Sequence, residues 1–511
     1  MLEQLLLEAV KEFPEKTAIV YDNLRISYKE LYSHVSSLSK GLSSIGIGQG
    51  DCVALVLPNC PEFAIAFYSV AQLNGIVLPL NHLFKEEEIN YYISDSNARA
   101  IITDMKRAEL CRNVIAKLDK DIELIVVDGI HPFGRYFYEL LIPEETETYD
   151  SAASSFEGDV LYQYSSGSTG RPKKVCRTQY NLSHEVKNFT ETAGITSADT
   201  ILCTVPLYHA HGLGNCLLAA TCKGATLVIL EQVVQKGIPV EVPFVFRRTR
   251  VLELIEKEGV TILPAVPYIL NTLAETPSNI QADLSTLRLC FSAGNFLSKD
   301  IFEKFLQRFG IPIRQLYGCT EAGSVSINLD AEPEKTLDSV GIPMQNVEIK
   351  IIGEEENELP VDAIGEVVIK SEALTSGYSN MRELNQQAFK GGCFFTGDLG
   401  KKDEFGRLYI TGRKKILIDT GGRKIDPIEI EDVLVNHPKV KEAVVVGVKG
   451  DFTGEVVKAV IVQKEREICE NNEILSYCKQ RMAEFKIPKI IEFRDEIPKS
   501  PLGKILRKEL V

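Results

Sequence analysis

The chain lacks the cysteine patterns of several protein classes. Its twelve cysteines are scattered along the sequence, and none of them forms a CxxC pair. This spacing excludes a zinc ribbon and the disulfide framework of a small secreted protein. We therefore expect a reducing compartment, with most cysteines acting as small core residues.

Long apolar runs are also missing, since no segment approaches the length of a membrane-spanning helix. The start, MLEQLLLEAVKEF, has acidic residues among its leucines and lacks the basic and apolar regions of a secretory signal. This pattern instead predicts an amphipathic first helix. We expect a soluble, cytoplasmic protein without membrane insertion.

Positive charge is in deficit, because 57 basic residues face 71 acidic ones and leave a net charge of -14 at pH 7. No basic stripe interleaved with aromatic side chains offsets this field. Nucleic acid is therefore not expected as a partner, and an anion has to be held by a local site. The sequence carries no signal for an oligomeric state.

The 511 residues exceed what one hydrophobic core usually supports. Short β-branched runs such as VALVLP, ATLVIL and VTILPAV alternate with helix-length segments such as IFEKFLQRFG, which predicts an α/β fold. Residues 1–413 are expected to form a large domain of doubly wound α/β subdomains. Within it, EIKIIG and GEVVIK predict hairpins of a small β-barrel or sheet.

The pattern changes again near GRKKILIDTGG. Beyond it, IEIEDVLVNH predicts a helix, and VKEAVVVGV and VKAVIVQ predict strands. We expect residues 414–511 to form a small, mobile α+β domain of about a hundred residues, a common domain size.

The strongest local motif is YSSGSTGRPKK at residues 164–174, where small and hydroxyl residues surround two glycines. Such a loop can direct backbone N–H and hydroxyl donors at phosphate oxygens, with Lys173 adding charge. Its spacing differs from that of a Walker A loop. Taken alone, a flexible Ser/Gly connector remains an alternative.

Three further segments carry candidate site residues. LYGCTEAG offers Tyr317, Thr320 and a carboxylate, Glu321, that suits Mg²⁺. Asp398 and Arg413 are separated by a predicted turn and strand, and an acidic group suits ribose hydroxyls. PKSPLGKILRKEL places Lys504 after a glycine, although taken alone this segment is better explained as a basic C-terminal tail.

In this order and spacing, the segments resemble the signature motifs of the adenylate-forming superfamily, closest to its acyl-CoA synthetase branch. The resemblance spans nearly the whole chain and includes PLYHAHGL, SAGNFL and GEVVIK. It implies that Glu321 binds Mg²⁺, that Thr320 contacts the α-phosphate and that Lys504 bridges the carboxylate and the α-phosphate. The other residues implied in ATP binding are Ser165, Ser166, Gly167, Ser168, Thr169, Gly170 and Lys173 at the phosphates, Tyr317 at adenine, Asp398 at the ribose, and Arg413.

The same resemblance implies a two-step cycle in which the C-terminal domain rotates. Lys415 matches the hinge, and Gly422 matches the passage through which a thiol reaches the acyl group. A glycine there leaves room for a pantetheine arm to pass close to the backbone. Two residues depart from the family pattern, because Ile416 replaces an acidic residue and Lys174 replaces a glycine.

The acyl pocket is predicted from the resemblance at His209 and His211, together with Ser292, Ala293 and Gly294. The two histidines alone do not predict a metal site, because no further Cys/His cluster completes a coordination shell. Relatives that activate α-amino acids carry an acidic residue shortly after the position of Tyr208, which this chain lacks. Since an unpaired buried ammonium is costly, an uncharged acyl group is favoured.

The sequence thus predicts a ligase that uses ATP and Mg²⁺ to convert a small carboxylic acid, fatty or otherwise uncharged, into an acyl-adenylate. The acyl group then passes to the thiol of coenzyme A. Two alternatives remain: an acyl carrier protein whose phosphopantetheine takes the acyl group, and a catalytically inactive nucleotide-binding scaffold.

Overall fold

The computed structural model describes most of the chain: residues 2–118, 120–142, 156–165, 172–295, 297–413, 417–450, 454–464, 467, 469–498, 505 and 507–511. Up to residue 413, the helices are Leu2–Glu12, Tyr28–Ser44, Pro61–Gln72, Glu86–Ser96, Met105–Leu118, Gln179–Thr192, Ala210–Gly212, Ala219–Lys223, Arg248–Lys257, Pro267–Ala274, Lys299–Phe309 and Arg382–Ala388. Beyond it they are Pro427–Val435 and Asn471–Arg481. No helix in these ranges is long and apolar enough to cross a membrane.

A nine-stranded sheet forms one layer of the large N-terminal part. In spatial order its strands are Ile342–Pro343, Gly323–Ile327, Ile313–Cys319, Leu289–Ser292, Ile262–Ala265, Thr200–Cys203, Thr226–Ile229, Thr17–Tyr21 and Leu24–Ser27. The strands from Ile313–Cys319 to Thr17–Tyr21 run parallel. The carboxyl ends of these parallel strands therefore meet at one edge, where open α/β sheets usually bind their ligands.

A seven-stranded sheet forms the second layer. Its strands, in spatial order, are Arg135–Tyr136, Glu123–Val126, Ala98–Thr103, Cys52–Val56, Ile76–Pro79, Asp159–Ser165 and Lys173–Thr178. All neighbours pair in parallel except the last two strands, which form an antiparallel hairpin. This hairpin flanks the predicted phosphate loop.

The strand Cys52–Val56 shows how residue alternation builds two cores. Val53 and Leu55 point into the large core that the seven-stranded sheet shares with the nine-stranded one. Ala54 and Val56 point the other way, into a second core beneath the helix Glu86–Ser96. Both faces of this parallel sheet are therefore covered, which explains its continuous apolar sequence.

The region predicted as a small β-barrel or sheet is an antiparallel sheet of Val347–Ile352, Gly365–Ser371, Cys393–Lys402 and Phe389–Lys390, with Leu408–Arg413 paired to Cys393–Lys402. In the C-terminal part, Val440–Lys449, Glu455–Gln463 and Ile490–Phe493 form a three-stranded sheet, and Ile418–Asp419 pairs with Lys424–Ile425. A further short hairpin joins Val233–Gln235 to Ile238–Val240.

This architecture confirms the predicted mixed α/β fold, with a large N-terminal part and a smaller α+β C-terminal part. The first helix is amphipathic as expected, since Leu2, Leu5 and Leu6 are buried while Gln4 is exposed. All twelve cysteines are free, and nine of them are buried, in agreement with their expected role as core residues.

Candidate active site

The predicted acyl-pocket residues gather at the carboxyl edge of the nine-stranded sheet. His209 and His211 follow the strand Thr200–Cys203, and residues 292–294 end the strand Leu289–Ser292. His209 begins the short helix there, and its Nδ1 accepts a hydrogen bond from the backbone N–H of His211 at 3.2 Å. The topology thus brings together two motifs that are about eighty residues apart in the sequence.

His211 is held by a chain of hydrogen bonds. Ser324 donates to Oδ1 of Asn215 (2.8 Å), so the Asn215 amide nitrogen donates to Nδ1 of His211 (2.9 Å). Nε2 then carries the proton and donates to the carbonyl of Ala265 at 3.1 Å. Burial, reinforced by the neighbouring His209, lowers the pKa of His211 to about 4. The imidazole is therefore neutral near pH 7, and both of its nitrogens have protein partners.

Backbone groups form the remainder of this edge. The Ala293 N–H donates to the Ala265 carbonyl at 3.1 Å, and Ser292 is buried beside it. Gly294 has a φ of +84°, which favours glycine, and a Cβ there would lie 4.0 Å from Val266. The pocket wall at this point is thus made of backbone and small side chains.

The predicted phosphate loop is flanked by the hairpin of Asp159–Ser165 and Lys173–Thr178, with Ser165 paired to Lys173. The Ser165 hydroxyl donates to Oε1 of Glu321 at 3.2 Å. The Lys173 ammonium lies 4.8 Å from the centre of the Tyr378 ring. The Ser165 end of the predicted loop therefore contacts the predicted metal carboxylate, and the Lys173 end lies beside Tyr378.

Lys174, the departure from the family glycine, turns away from this site. Its ammonium bonds the backbone carbonyl of Asp95 at 2.9 Å and lies 3.2 Å from the Asp95 carboxylate. The side chain is buried and lies over the Tyr162 ring, 5.1 Å from the ring centre. The hairpin thus accommodates a lysine by anchoring it to the end of the helix Glu86–Ser96.

Thr320 and Glu321 form the turn between the strands Ile313–Cys319 and Gly323–Ile327. The Glu321 carboxylate is almost fully buried, and Oε1 accepts a hydrogen bond from the Tyr378 hydroxyl at 2.8 Å as well as the one from Ser165. Burial, followed by the Glu321 charge, raises the pKa of Tyr378. Tyr378 therefore stays protonated and remains a hydrogen-bond donor.

Tyr317, Asp398 and Arg413 form one cluster. Asp398 and Arg413 are directly opposite each other on neighbouring strands, and their side chains form an ion pair. The Tyr317 hydroxyl donates to the Asp398 carboxylate at 2.6 Å. Burial and the Asp398 charge together raise the pKa of Tyr317. Three residues from two distant motifs thus meet at the Asp398 carboxylate.

Gly422 brings the C-terminal part to the predicted acyl pocket. It lies in the turn between Asp419 and Lys424, and its N–H donates to Oδ1 of Asp419 at 2.7 Å. Its φ is +88°, and a Cβ there would lie 3.2 Å from a methyl group of Val266. Gly422 is therefore in contact with the residue that follows Ala265 at the sheet edge.

A buried lysine joins the same two parts of the chain. The Lys486 ammonium lies 2.7 Å from carboxylate oxygens of both Glu88 and Glu429, and also faces the ring of Phe84. Burial lowers the pKa of Lys486, but the two carboxylates outweigh it and raise the pKa overall. The charged ammonium thus bridges the helices Glu86–Ser96 and Pro427–Val435.

Several predicted residues lie outside the described ranges. They are Ser166, Gly167, Ser168, Thr169 and Gly170 of the loop, the hinge residue Lys415 with its neighbour Ile416, and Lys504. Their roles stay predictions, as does the domain boundary after Arg413.

Sequence reasoning missed the residues that support the site. Tyr378 and Asn215 lie outside the motifs, as does Arg177, whose guanidinium bonds the Thr320 carbonyl at 3.0 Å. One available signal was the position of Arg177 two residues after Val175, on the same face of the strand Lys173–Thr178. A polar residue on a buried face needs a partner, which is a reason to search for one.

Comparisons with known proteins cover most of the chain. The family model described as AMP-binding enzyme matches residues 6–379, and the one described as AMP-binding enzyme C-terminal domain matches residues 429–504. A long-chain-fatty-acid–CoA ligase of Bacillus subtilis (strain 168) is 29% identical over 100% of this chain and 94% of its own length. A 4-coumarate–CoA ligase 3 of Oryza sativa subsp. japonica is 32% identical over 95% and 86%, respectively.

One solved enzyme matches in two complexes. A double mutant of o-succinylbenzoate CoA synthetase from Bacillus subtilis, bound with its product analogue OSB-NCoA, has a TM-score of 0.85 at 27% identity, covering 99% of this chain and 98% of that one. The same enzyme in complex with AMP has a TM-score of 0.69 at 26% identity, covering 99% and 97%. The chain therefore belongs to the AMP-binding enzyme family of the adenylate-forming superfamily, and it is an AMP-forming acid–CoA ligase.

Proposed function

We propose that the chain activates an uncharged carboxylic acid and delivers it to coenzyme A. In the first step, a carboxylate oxygen attacks the α-phosphorus of ATP, and pyrophosphate leaves. In the second, the coenzyme A sulfur attacks the acyl carbon, the thiol proton goes to solvent and AMP leaves. The observation that carries this proposal is that both the Asp398 cluster and the His211 pocket are linked to the Glu321 turn. Tyr317, on the strand before the turn, bonds Asp398, and Ser324, on the strand after it, bonds the Asn215 that holds His211.

The predicted nucleotide-binding residues support the first step. Asp398 is buried and held by Tyr317 and Arg413, so its carboxylate is oriented before a ribose hydroxyl arrives. We assign adenine contact to Tyr317 and phosphate contacts to Thr320 and Lys173. The predicted loop residues between Ser165 and Lys173 complete the phosphate site in this proposal. Preorganised donors of this kind stabilise developing charge without reorganising during the reaction.

Mg²⁺ fits the donor set at Glu321. Both hydroxyl donors to the carboxylate contact Oε1, while Oε2 receives no hydrogen bond from the residues that the structure describes. Mg²⁺ prefers oxygen ligands and is commonly held by one or two carboxylates together with substrate phosphates. In this proposal, Glu321 holds the ion, which neutralises phosphate charge, while Ser165 and Tyr378 keep the carboxylate in place.

The acyl side favours a neutral tail. His211 is uncharged near pH 7 because burial depresses its pKa, so it does not attract a second carboxylate. The neighbouring wall consists of the Ala265 carbonyl, Val266 and the glycine backbone at Gly294. Burying an unpaired charge against these groups would be unfavourable. A fatty or other uncharged acyl group therefore fits best.

The domain arrangement supports the second step. The structure is closer to the complex of o-succinylbenzoate CoA synthetase with its product analogue than to the complex of that enzyme with AMP. Gly422 also lies directly against Val266. We assign this arrangement to thioester formation. We assign adenylate formation to a second arrangement, in which the C-terminal part has rotated about Lys415 and Lys504 contacts the substrates.

The first experiment is carboxylate-dependent ATP–pyrophosphate exchange across fatty, aromatic, dicarboxylic and amino acids, followed by detection of the thioester with coenzyme A or a holo carrier protein. We expect exchange with an uncharged acid and transfer to coenzyme A. Transfer only to the carrier protein would support the carrier ligase instead. If no acid supports exchange, the alternative of a catalytically inactive nucleotide-binding scaffold is favoured.

A further inference from the structure

Arg177 is completely buried within the N-terminal part. Its side chain has no exposed surface, and one guanidinium nitrogen lies 2.8 Å from the carboxylate of Glu185, which is itself almost fully buried. Glu185 is carried by the helix Gln179–Thr192, whose start is fixed by a capping box between Thr178 and Asn181. The ion pair is thus built into the frame of the fold.

The guanidinium also bonds two separate backbone segments. One terminal nitrogen donates to the Thr320 carbonyl at 3.0 Å, and the other donates to the Ala373 carbonyl at 2.9 Å. These segments also meet at Glu321, because the Thr375 N–H donates to the backbone carbonyl of Glu321 at 2.9 Å. Arg177 therefore links the turn that carries Glu321 to the segment that leads to Tyr378.

Glu185 reaches Arg177 because two glycines leave space for it. A Cβ at Gly214 would lie 2.4 Å from the Glu185 carboxylate, and one at Gly323 would lie 2.0 Å from it. Gly323 follows the Glu321 turn, and Gly214 follows the His211 helix. The ion pair thus lies between the turn on the nucleotide side and the helix on the acyl side.

An apolar pair of similar volume could fill this space without burying charge. Arginine offers something that an apolar or ammonium side chain does not, namely several donors in a rigid planar fork. Here the guanidinium donates hydrogen bonds to two backbone carbonyls and one carboxylate at the same time. We infer that Arg177 is a positioning residue that holds the Thr320–Glu321 turn in the orientation needed for Mg²⁺ and nucleotide binding. This inference rests on the proposed adenylate-forming function.

The test compares Arg177→Met combined with Glu185→Gln against Glu185→Gln alone. The single variant keeps the bonds of Arg177 to Thr320 and Ala373, whereas the double variant loses them without leaving an unpaired buried charge. The first readout is the binding of α,β-methylene ATP, measured by calorimetry across Mg²⁺ concentrations. This analogue cannot be cleaved between its α- and β-phosphorus. Exchange kinetics and thioester formation from presynthesised acyl-adenylate are measured alongside.

We expect Glu185→Gln to keep Mg²⁺-dependent nucleotide binding within about 3-fold of the wild type. The double variant should need at least ~10-fold more Mg²⁺ and lose about 100-fold in exchange kcat, the size of effect that small misplacements of reacting groups produce. Thioester formation from acyl-adenylate should change little, because it involves no attack on ATP and no release of pyrophosphate. A double variant that is folded and matches Glu185→Gln in Mg²⁺ dependence would overturn the inference.

Arg177→Lys provides the second comparison if the double variant is unstable. It keeps a cation facing Glu185, but one ammonium cannot reproduce the planar fork. We expect it to recover thermal stability while retaining the altered Mg²⁺ dependence, and full recovery of both would count against positioning. Failure of wild-type exchange would instead refute the proposed function. The nucleotide-binding comparison would still show separately whether Arg177 positions the Thr320–Glu321 turn.

Discussion

The Lys486 ammonium lies 2.7 Å from the Glu88 carboxylate, although the two residues are 398 positions apart in the sequence. Glu429, on the C-terminal side, contacts the same ammonium at the same distance. Because Lys486 is buried, this contact is shielded from solvent and from salt. It fixes the C-terminal part in the arrangement in which Gly422 touches Val266.

Lys486→Met should therefore weaken thioester formation selectively. The substitution leaves Glu88 without its cation and removes the contact that holds the two parts together. We expect thioester formation from presynthesised acyl-adenylate to fall at least ~10-fold, while pyrophosphate exchange stays within about 3-fold, since differential loss reports a step-specific interaction. Rapid-quench kinetics of both steps provide the measurement, and Glu88→Gln, which keeps a hydrogen-bond acceptor, is the milder control. Equal loss of both steps would contradict this assignment.

Gly422→Ala should impair the same step for a different reason. Alanine at a φ of +88° is strained, and its methyl group would lie 3.2 Å from Val266. We expect slower thioester formation with adenylate formation retained, measured by the same two assays. Combining it with Val266→Ala removes two of the three tight contacts, those with the Val266 methyl groups, and leaves the one with the Cβ at 3.3 Å, so it should recover part of the rate. If the rate of thioester formation does not recover, backbone strain alone accounts for the loss.

Lys504→Ala tests the division of labour between the two proposed arrangements. We expect adenylate formation to fall at least ~100-fold, about 2.7 kcal/mol of barrier, because the positioned cation that offsets two approaching anions is lost. Presynthesised adenylate should still be converted to thioester. Loss of that conversion to the same extent would refute the rotation of the C-terminal domain between steps.

His211 should make thermal stability depend on pH. Its pKa is lowered from 6.5 to about 4, so the unfolded chain binds more protons than the folded one between these values. The contribution is fully present above pH 6.5 and is lost as the pH falls towards 4, and it amounts to at most about 3 kcal/mol. Protonation would also place an N–H of the ring against the Asn215 amide donor.

The comparison variant is His211→Gln, which does not titrate. The melting temperature of the wild type should fall relative to that of this variant as the pH is lowered from 6.5 to 4.5, measured by scanning fluorimetry in matched buffers. A constant difference across this range would show that His211 titrates normally.

Much of the fold was readable from local patterns. The strand within VALVLP follows from a run of apolar residues between turn signals, and the helix Lys299–Phe309 follows from the periodicity of IFEKFLQRFG. The candidate site was readable for a related reason, because phosphate and metal contacts need particular side chains on short glycine-containing turns. In the structure Ser165 bonds the Glu321 carboxylate, and Tyr317, on the strand before the Glu321 turn, bonds Asp398.

Other parts of the site depend on pairs that no local pattern reveals. Arg177 and Glu185 look like ordinary charges in the sequence, and only packing removes them from water and forces them together. The turn of Lys174 towards Asp95 is likewise a consequence of the helix that lies beside the hairpin.

The sequence by itself determined the chemistry of this protein, that of an adenylate-forming ligase, and it predicted a phosphate loop, a metal carboxylate and a ribose aspartate. Each of those functions depends on residue type and short spacing, which the chain carries locally. Only the tertiary structure decided which groups support them, through the Arg177 fork, the neutral His211 and the Lys486 bridge. These depend on burial and on contacts between distant segments, and both arise when the chain packs.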